Sequence, residues 1–215
     1  MSEAYPDSIY QGKVDFMHSK TRENLMWAFA GESQARNRYT MAASISRKGN
    51  LEVVARVFDF TAEQERAHAK VFYEFLRPCS GQNIQIDGTY PVDIFSDALQ
   101  HLRAAQHNEY QEWEHDYAEF AKVAEEEGFQ LIGKNFSMIS RIEQTHGDRF
   151  GLYADWLEQG KLFLADSEVT WMCLNCGQII QAASAPKECP VCRHNQGFFI
   201  RLELAPYTKE ASGKQ

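Results

Sequence analysis

Nowhere in the 215 residues do eighteen consecutive apolar side chains occur, so no segment is suited to span a bilayer as a helix. There is no basic block either. The formal charge of -8 comes from acids and bases mixed along the chain, which leaves a nucleic-acid backbone nothing to hold and excludes nucleic acid as the expected partner. The N-terminal stretch MSEAYPDSIYQGKVDF lacks a basic start followed by an apolar run, so no export signal is read there and the cytoplasm is the expected compartment. Cysteine is scarce. Four of the five cysteines form two close pairs near the C-terminus, which in a reducing compartment favours metal ligation over disulfides. The fifth, Cys79, follows Arg77-Pro78 where a helix should stop, and is read as an ordinary thiol.

What is present is helical periodicity. From about Arg22 to Arg47, Leu25, Ala28, Glu32, Ala35, Tyr39 and Ala42 share one face, and Gly49-Asn50 forms the break. A second helix is expected from about Leu51 to Leu76, with the stripe Val54, Phe58, Thr61, Glu65, His68, Phe72 and Phe75. After the turn-rich segment CSGQNIQIDGTYP, a third is expected to start near Val92 and to run to the acidic triplet before Gly128. The fourth occupies about Phe129 to Leu157, with Ile132, Phe136, Ile139, Phe150 and Tyr153 in line. Two short-loop hairpins joined by a longer crossing connection predict an all-α four-helix bundle of the ferritin-like kind over residues 1–160.

Polar residues interrupt these stripes at matched places. Glu32 precedes Glu65 by 33 residues and Glu109 precedes Glu143 by 34, each with a glycine near the middle. At ~1.5 Å rise per residue, the two glutamates of each hairpin come back to one height. Glu65 and Glu143 each open a Glu-x-x-His, with His68 and His146 one turn on and on the same face, and Glu112 lies one turn past Glu109. Five inward carboxylates cannot all remain ionised without cations between them. Two divalent ions would bring +4 against -5, with both histidines neutral. Carboxylate oxygen with one imidazole per half-site suits iron or manganese, in the pattern known for di-iron and di-manganese bundles. Glu114, Glu119, Glu125 to Glu127, His101, His107 and His115 read as solvated surface. Tyr39, Tyr117 and Trp113 read as core packing, the phenols also being able to reach a ligand carboxylate.

The C-terminal part carries Cys173-x-x-Cys176 and Cys189-x-x-Cys192, twelve residues apart. These paired knuckles point to one tetrahedral tetrathiolate site, which sulfur alone leaves open to zinc or a single iron. Trp171, Ile179, Phe198 and Phe199 are the expected core of a small module over 166–207, with a tail at 208–215.

Taken together, GESQARNRY around Glu32, TAEQERAHAK around Glu65 and His68, NEYQEWEHDYAEFAKVAEEEGF around Glu109 and Glu112, IEQTH, and the ordered cysteine pairs resemble the rubrerythrin family over roughly Arg22 to Glu203. The resemblance implies a ferritin-like bundle holding two irons, followed by a β-rich rubredoxin-like domain holding one iron on Cys173, Cys176, Cys189 and Cys192, where zinc can misload. It implies Glu32, Glu65, Glu109, Glu112, Glu143 and His146 as di-iron ligands. In the family one iron exchanges the carboxylate matched by Glu112 for the histidine matched by His68 when the site is reduced. The implied activity is reduction of hydrogen peroxide to water, with electrons from a reductase or rubredoxin relayed through the tetrathiolate iron in a head-to-tail homodimer. A ferroxidase handling iron for storage, and a zinc-bound interaction module on a structural bundle, are the alternatives. Asn108, Glu114-His115-Asp116 and Arg193 depart from the family pattern without touching the ligands.

Overall fold

The computed structural model describes residues 5–208, so the expected tail falls, apart from Thr208, outside the described residues. Four long helical segments make a bundle. α1 spans Lys20–Lys48 and α2 spans Glu52–Phe75, reversing through Gly49 and a left-handed Asn50. α3 (Ala98–Gln111), a π-helical turn (Glu112–Asp116) and α4 (Tyr117–Glu127) together form the third leg. α5 (Gln130–Glu158) is the fourth. Among the described residues no helix is long and apolar enough to cross a membrane.

Local chemistry sets the ends of these elements. Ser19 caps α1 by accepting from the Arg22 amide, and Glu127, at the far end of α4, accepts from the Lys20 amide, the Thr21 amide and the Thr21 hydroxyl. That carboxylate meets the positive end of the α1 dipole and ties the second hairpin to the first. Glu127 is therefore not part of a solvated acidic face, as its neighbours Glu125 and Glu126 are. The third leg starts later than expected, at Ala98 rather than near Val92. Asp97 supplies the N-cap, accepting from the Gln100 amide at 3.0 Å, while Asp93 is committed to Arg38 of α1 and Asn108 of α3 and holds the crossing segment extended. Val92 and Ile94 lie exposed on that segment. His101, expected at the surface, is buried at the start of α3 with its Nε2 3.1 Å from the Phe95 carbonyl.

The expected stripes face inward. On α1, α2 and α5 every stripe position from Leu25 to Ala42, Val54 to Phe75 and Ile132 to Tyr153 is buried. Two apolar clusters result. One gathers Tyr39, Val54, Phe58, Leu102, Phe150 and Tyr153, and the other Leu25, Phe72, Phe75, Phe129, Ile132 and Phe136. A fully buried phenylalanine contributes about 2 kcal/mol by leaving water, so these two plugs supply much of the driving force for folding. Between them lies a polar layer.

After α5, β1 (Leu164–Cys173), β2 (Ile179–Ser184) and β3 (Phe199–Arg201) form an antiparallel sheet in the order β2-β1-β3. Trp171 is fully buried opposite Ile180, and its indole donates to the Ala182 carbonyl. Paired residues share a sheet face, so Ile180 packs in this small core. The expected contributor Ile179 is half exposed, because successive residues of a strand point to opposite faces. The module rests on the bundle end, where Asn195 donates to the Asn50 side chain and Ile200 joins the nearer apolar cluster.

Gly128 ends α4 with φ of +94°, and a Cβ there would stand 2.8 Å from the Lys13 amide nitrogen. Gly128→Ala is expected to lower unfolding free energy by about 2 kcal/mol, combining left-handed strain with a clash against fixed backbone. Thermal unfolding of the two proteins measures this; an unchanged midpoint would contradict it.

Candidate metal centres

The polar layer is built by four helices at one level. Glu32 comes from α1, Glu65 and His68 from α2, Glu109 from α3, and Glu143 and His146 from α5; all six are buried. Two groups of potential ligands form. In one, Glu32, Glu65, His68 and Glu143 present atoms within 4.8 Å of one another; in the other, Glu65, Glu109, Glu143 and His146 do so. Glu65 and Glu143 belong to both. His68 Nδ1 is 3.2 Å from one Glu65 oxygen and 3.0 Å from one Glu143 oxygen, while His146 Nδ1 is 2.9 Å and 2.8 Å from the other oxygen of each. The two central carboxylates thus each face both half-sites.

Apart from the hydrogen bond of His68 Nδ1 with Glu65, these atoms approach without satisfying one another. His146 Nδ1, Glu65 Oε1 and both Glu143 oxygens have no hydrogen-bond partner, nor do Glu32 Oε2 and Glu109 Oε2. Orphaned buried polar atoms cost roughly 1–3 kcal/mol each, more when charged. Donors aimed at a shared point rather than at one another are what two enclosed cations require. Four carboxylates against two divalent ions with neutral histidines also leave no net charge. The donor set therefore fits a dinuclear iron centre.

Glu112, the seventh expected residue, is not in either group. It opens the π turn, remains partly exposed, and lines a cleft of about 240 Å³ with Trp27, Gln34, Arg38, Tyr90 and Asn108. Two tyrosines brace the layer crosswise. Tyr39 of α1 donates to Glu109 Oε1 of α3, and Tyr117 of α4 donates to Glu32 Oε1 of α1 at 2.5 Å. Core packing was the principal expectation for both, and the phenol contacts come in addition. Arg149, which sequence reasoning passed over, is three residues beyond His146 and donates to Thr61 and Gln64 on α2 beside the site. Trp113 is partly exposed.

Without cations, protons must relieve the crowding. Burial and the Glu65 charge push Glu109 up to about 8, and burial with the Glu143 and Glu65 charges pushes Glu32 well above its usual range. Burial disfavours the charged form of both histidines, but the carboxylates outweigh it, raising His68 to about 10 and His146 to about 12. Glu65 goes the other way: burial is overcome by its two histidine partners and it falls to about 2.

In the tail module the four cysteines lie within 4.8 Å of one another, with Cys173–Cys192 and Cys176–Cys189 sulfur distances of 3.7 Å. A disulfide would need about 2.05 Å. The edge of a tetrahedron around an ion bound by thiolates at ~2.3 Å is about 3.75 Å, so the sulfurs fit one tetrahedral ion. The two knuckles repeat each other. The Gly177 and Arg193 amides donate to Cys173 and Cys189 carbonyls, and the Gln178 and His194 carbonyls accept from the Cys173 and Cys189 amides. Both positions after the second cysteine are left-handed, Gly177 at φ +77° and Arg193 at +66°. The His194 amide beside Cys192 holds that thiol down to about 6.

A pH dependence follows for the metal-free protein. Glu109, ordinarily near 4.5, and the histidines, ordinarily near 6.5, are raised in the fold. Their stabilisation is complete below the ordinary values and is lost as pH climbs through the raised ones. The thermal midpoint of the metal-free protein should fall between pH 6 and 10, and that of the iron-loaded protein should stay nearly flat. Equal slopes would contradict the assignment of these groups to metal.

Comparison with known proteins agrees with this architecture. A family model described as Rubrerythrin matches residues 23–153, and one described as Rubrerythrin, rubredoxin-like domain, matches 171–200. Rubrerythrin of Porphyromonas gingivalis is 44% identical over 181 residues, covering 84% of this chain and 89% of that protein. Rubrerythrin of Clostridium perfringens is 44% identical over 182 residues, covering 84% and 93%. Rubrerythrin of Nitratidesulfovibrio vulgaris is 36% identical over 186 residues, covering 86% and 96%. A solved structure of nigerythrin in its fully reduced, all-ferrous state shares the fold, with a TM-score of 0.56 at 23% identity over 94% of this chain and 98% of that one. The chain belongs to the rubrerythrin family, with a di-iron site in its helical bundle and a rubredoxin-like four-cysteine iron site behind it.

Proposed function

We propose that the protein is a cytoplasmic non-haem di-iron peroxidase that reduces hydrogen peroxide to water as part of oxidative-stress defence. The observation that carries this is the pairing, in one chain, of a dinuclear carboxylate-histidine layer with a tetrathiolate site. Glu32, Glu65, His68 and Glu143 hold one iron, and Glu65, Glu109, Glu143 and His146 the other. By the family resemblance Glu112 would replace His68 on an oxidised pair; His68 lies within its group here and Glu112 lies outside both. With two ferrous ions bound, the layer would supply the two electrons needed to cleave the O–O bond of one peroxide, which with two protons gives two waters.

The chain's own residues bind, orient and protect. Tyr39 and Tyr117 fix the outer carboxylates Glu109 and Glu32, while the apolar plugs above and below keep bulk water from the pair. The cleft beside Glu112 gives a small polar oxidant its approach. In the metal-free layer, burial and the charges of Glu109 and Glu143 push the Glu112 carboxyl well above its usual range.

With iron on the four cysteines, that site would receive electrons from a reductase or rubredoxin and pass them on. The module rests at the Asn50 turn, and the 17 residues from Glu32 to Gly49 correspond to about 25 Å of helix. A head-to-tail homodimer shortens that path by setting one subunit's module against the other's bundle. A ferroxidase has no use for such a relay, which places iron storage second.

Anaerobically reduced protein mixed with one equivalent of peroxide should oxidise far faster than with oxygen; comparable rates would favour the ferroxidase. Cys173→Ser is expected to block reduction by the protein donor and leave chemically reduced di-iron able to consume peroxide. Loss of both would show that the cysteine site serves structure alone.

A further inference from the structure

The third leg of the bundle is not one α-helix. At the π turn Glu112–Asp116 the Tyr117 amide donates to the Glu112 carbonyl, five residues back, and not to Trp113 four back. Such turns are rare and interrupt the regular ladder. Here the interruption sets direction. Glu109 and Tyr117 are eight residues apart, which in an unbroken helix at about 100° per residue would turn Tyr117 some 80° away from the Glu109 face. The π turn takes up one residue, and Leu102, Ala105, Glu109, Tyr117, Ala121 and Ala124 all end up buried on one stripe. Tyr117 can then reach Glu32, and Glu112 is placed at the mouth of the layer.

The Trp113 carbonyl, released from its α-helical partner, accepts from Ser140 Oγ of α5 at 3.0 Å. Ser140 is buried and lies one turn before Glu143. It belongs to a seam of small buried residues seven apart, Gly133, Ser140, Gly147 and Ala154, along which α5 meets the third leg. Ser140 is the one member of that seam with a side-chain hydroxyl, and it stands opposite the π turn.

We infer that Ser140 is a positioning residue for the dinuclear site: by holding the Trp113 carbonyl it maintains the π turn and so fixes where Glu112 and Tyr117 point. The inference rests on the proposed exchange of Glu112 for His68. In that exchange the oxidised pair gains an anionic ligand that the reduced pair lacks, so a Glu112 held at the right place favours the oxidised state. Releasing the turn weakens that preference.

The test compares full-length, iron-loaded wild type with Ser140→Ala by hydrogen exchange and by redox titration of the di-iron centre, followed through the paramagnetic mixed-valent signal. Exchange should quicken by at least about tenfold over residues 112–118 and stay unchanged in the rest of the bundle, and the midpoint potential of the pair should rise. Unchanged exchange at the π turn would overturn the inference, as would faster exchange with an unmoved potential. Should the alanine variant fail to fold, Ser140→Cys, nearly isosteric and a weak donor, is expected to shift both readings in the same directions by less, and no shift would count against the inference. Neither reading uses peroxide, so failure of wild type to consume peroxide would strike the proposed peroxidase activity alone.

Discussion

Four carboxylates enclosed at the centre of an apolar bundle are the constraint around which the molecule is arranged. Burial of that much like charge opposes folding, and the two phenylalanine-rich clusters on either side make the burial unavoidable once the helices pack. The conflict is resolved by aiming, since the oxygens and imidazole nitrogens converge on common points where cations cancel the charge. Without cations the same geometry forces protons onto Glu109, Glu32 and the histidines. Site and fold are thus coupled through one electrostatic balance, and ion binding is part of what makes the core tolerable.

The layer has approximate two-fold character. Each hairpin brings one glutamate on its first leg and a Glu-x-x-His on its second, and each outer glutamate receives a phenol from a helix of the opposite hairpin's side of the layer. Because Glu65 and Glu143 each serve both half-sites, neither hairpin holds a complete ion site by itself. The symmetry breaks at the third leg, where Glu112 and the π turn have no counterpart on α1. That asymmetry leaves one carboxylate outside the two ligand groups, lining a cleft on the third leg.

Much of this was legible in the sequence because buried stripes obey a period. Glu32, Glu65, His68, Glu143 and His146 stood where the apolar rows required Leu or Phe, and a charged residue in such a row needs a partner. The cysteine knuckles were legible from spacing. Other features depend on choices that period alone does not encode. The start of α3 was set by competition between Asp93 and Asp97, decided by the partners Arg38 and Asn108 far along the chain. Ile179 and Ile180 are equivalent in composition, and only the strand register against Trp171 sends the second inward. The π turn was hidden because its signal is an eight-residue gap between two inward residues, Glu109 and Tyr117, that reads as irregularity unless one residue is removed.

The two cysteine knuckles share a backbone but not a side chain at the left-handed position, and the difference gives the small module a direction of wear. Gly177 adopts its conformation freely, whereas Arg193 holds a strained one, supported by an exposed ion pair with Glu188. As long as the central ion grips both loops, the strain is masked. When the ion departs, the loop of Cys189 and Cys192 has a reason to uncoil that the loop of Cys173 and Cys176 lacks.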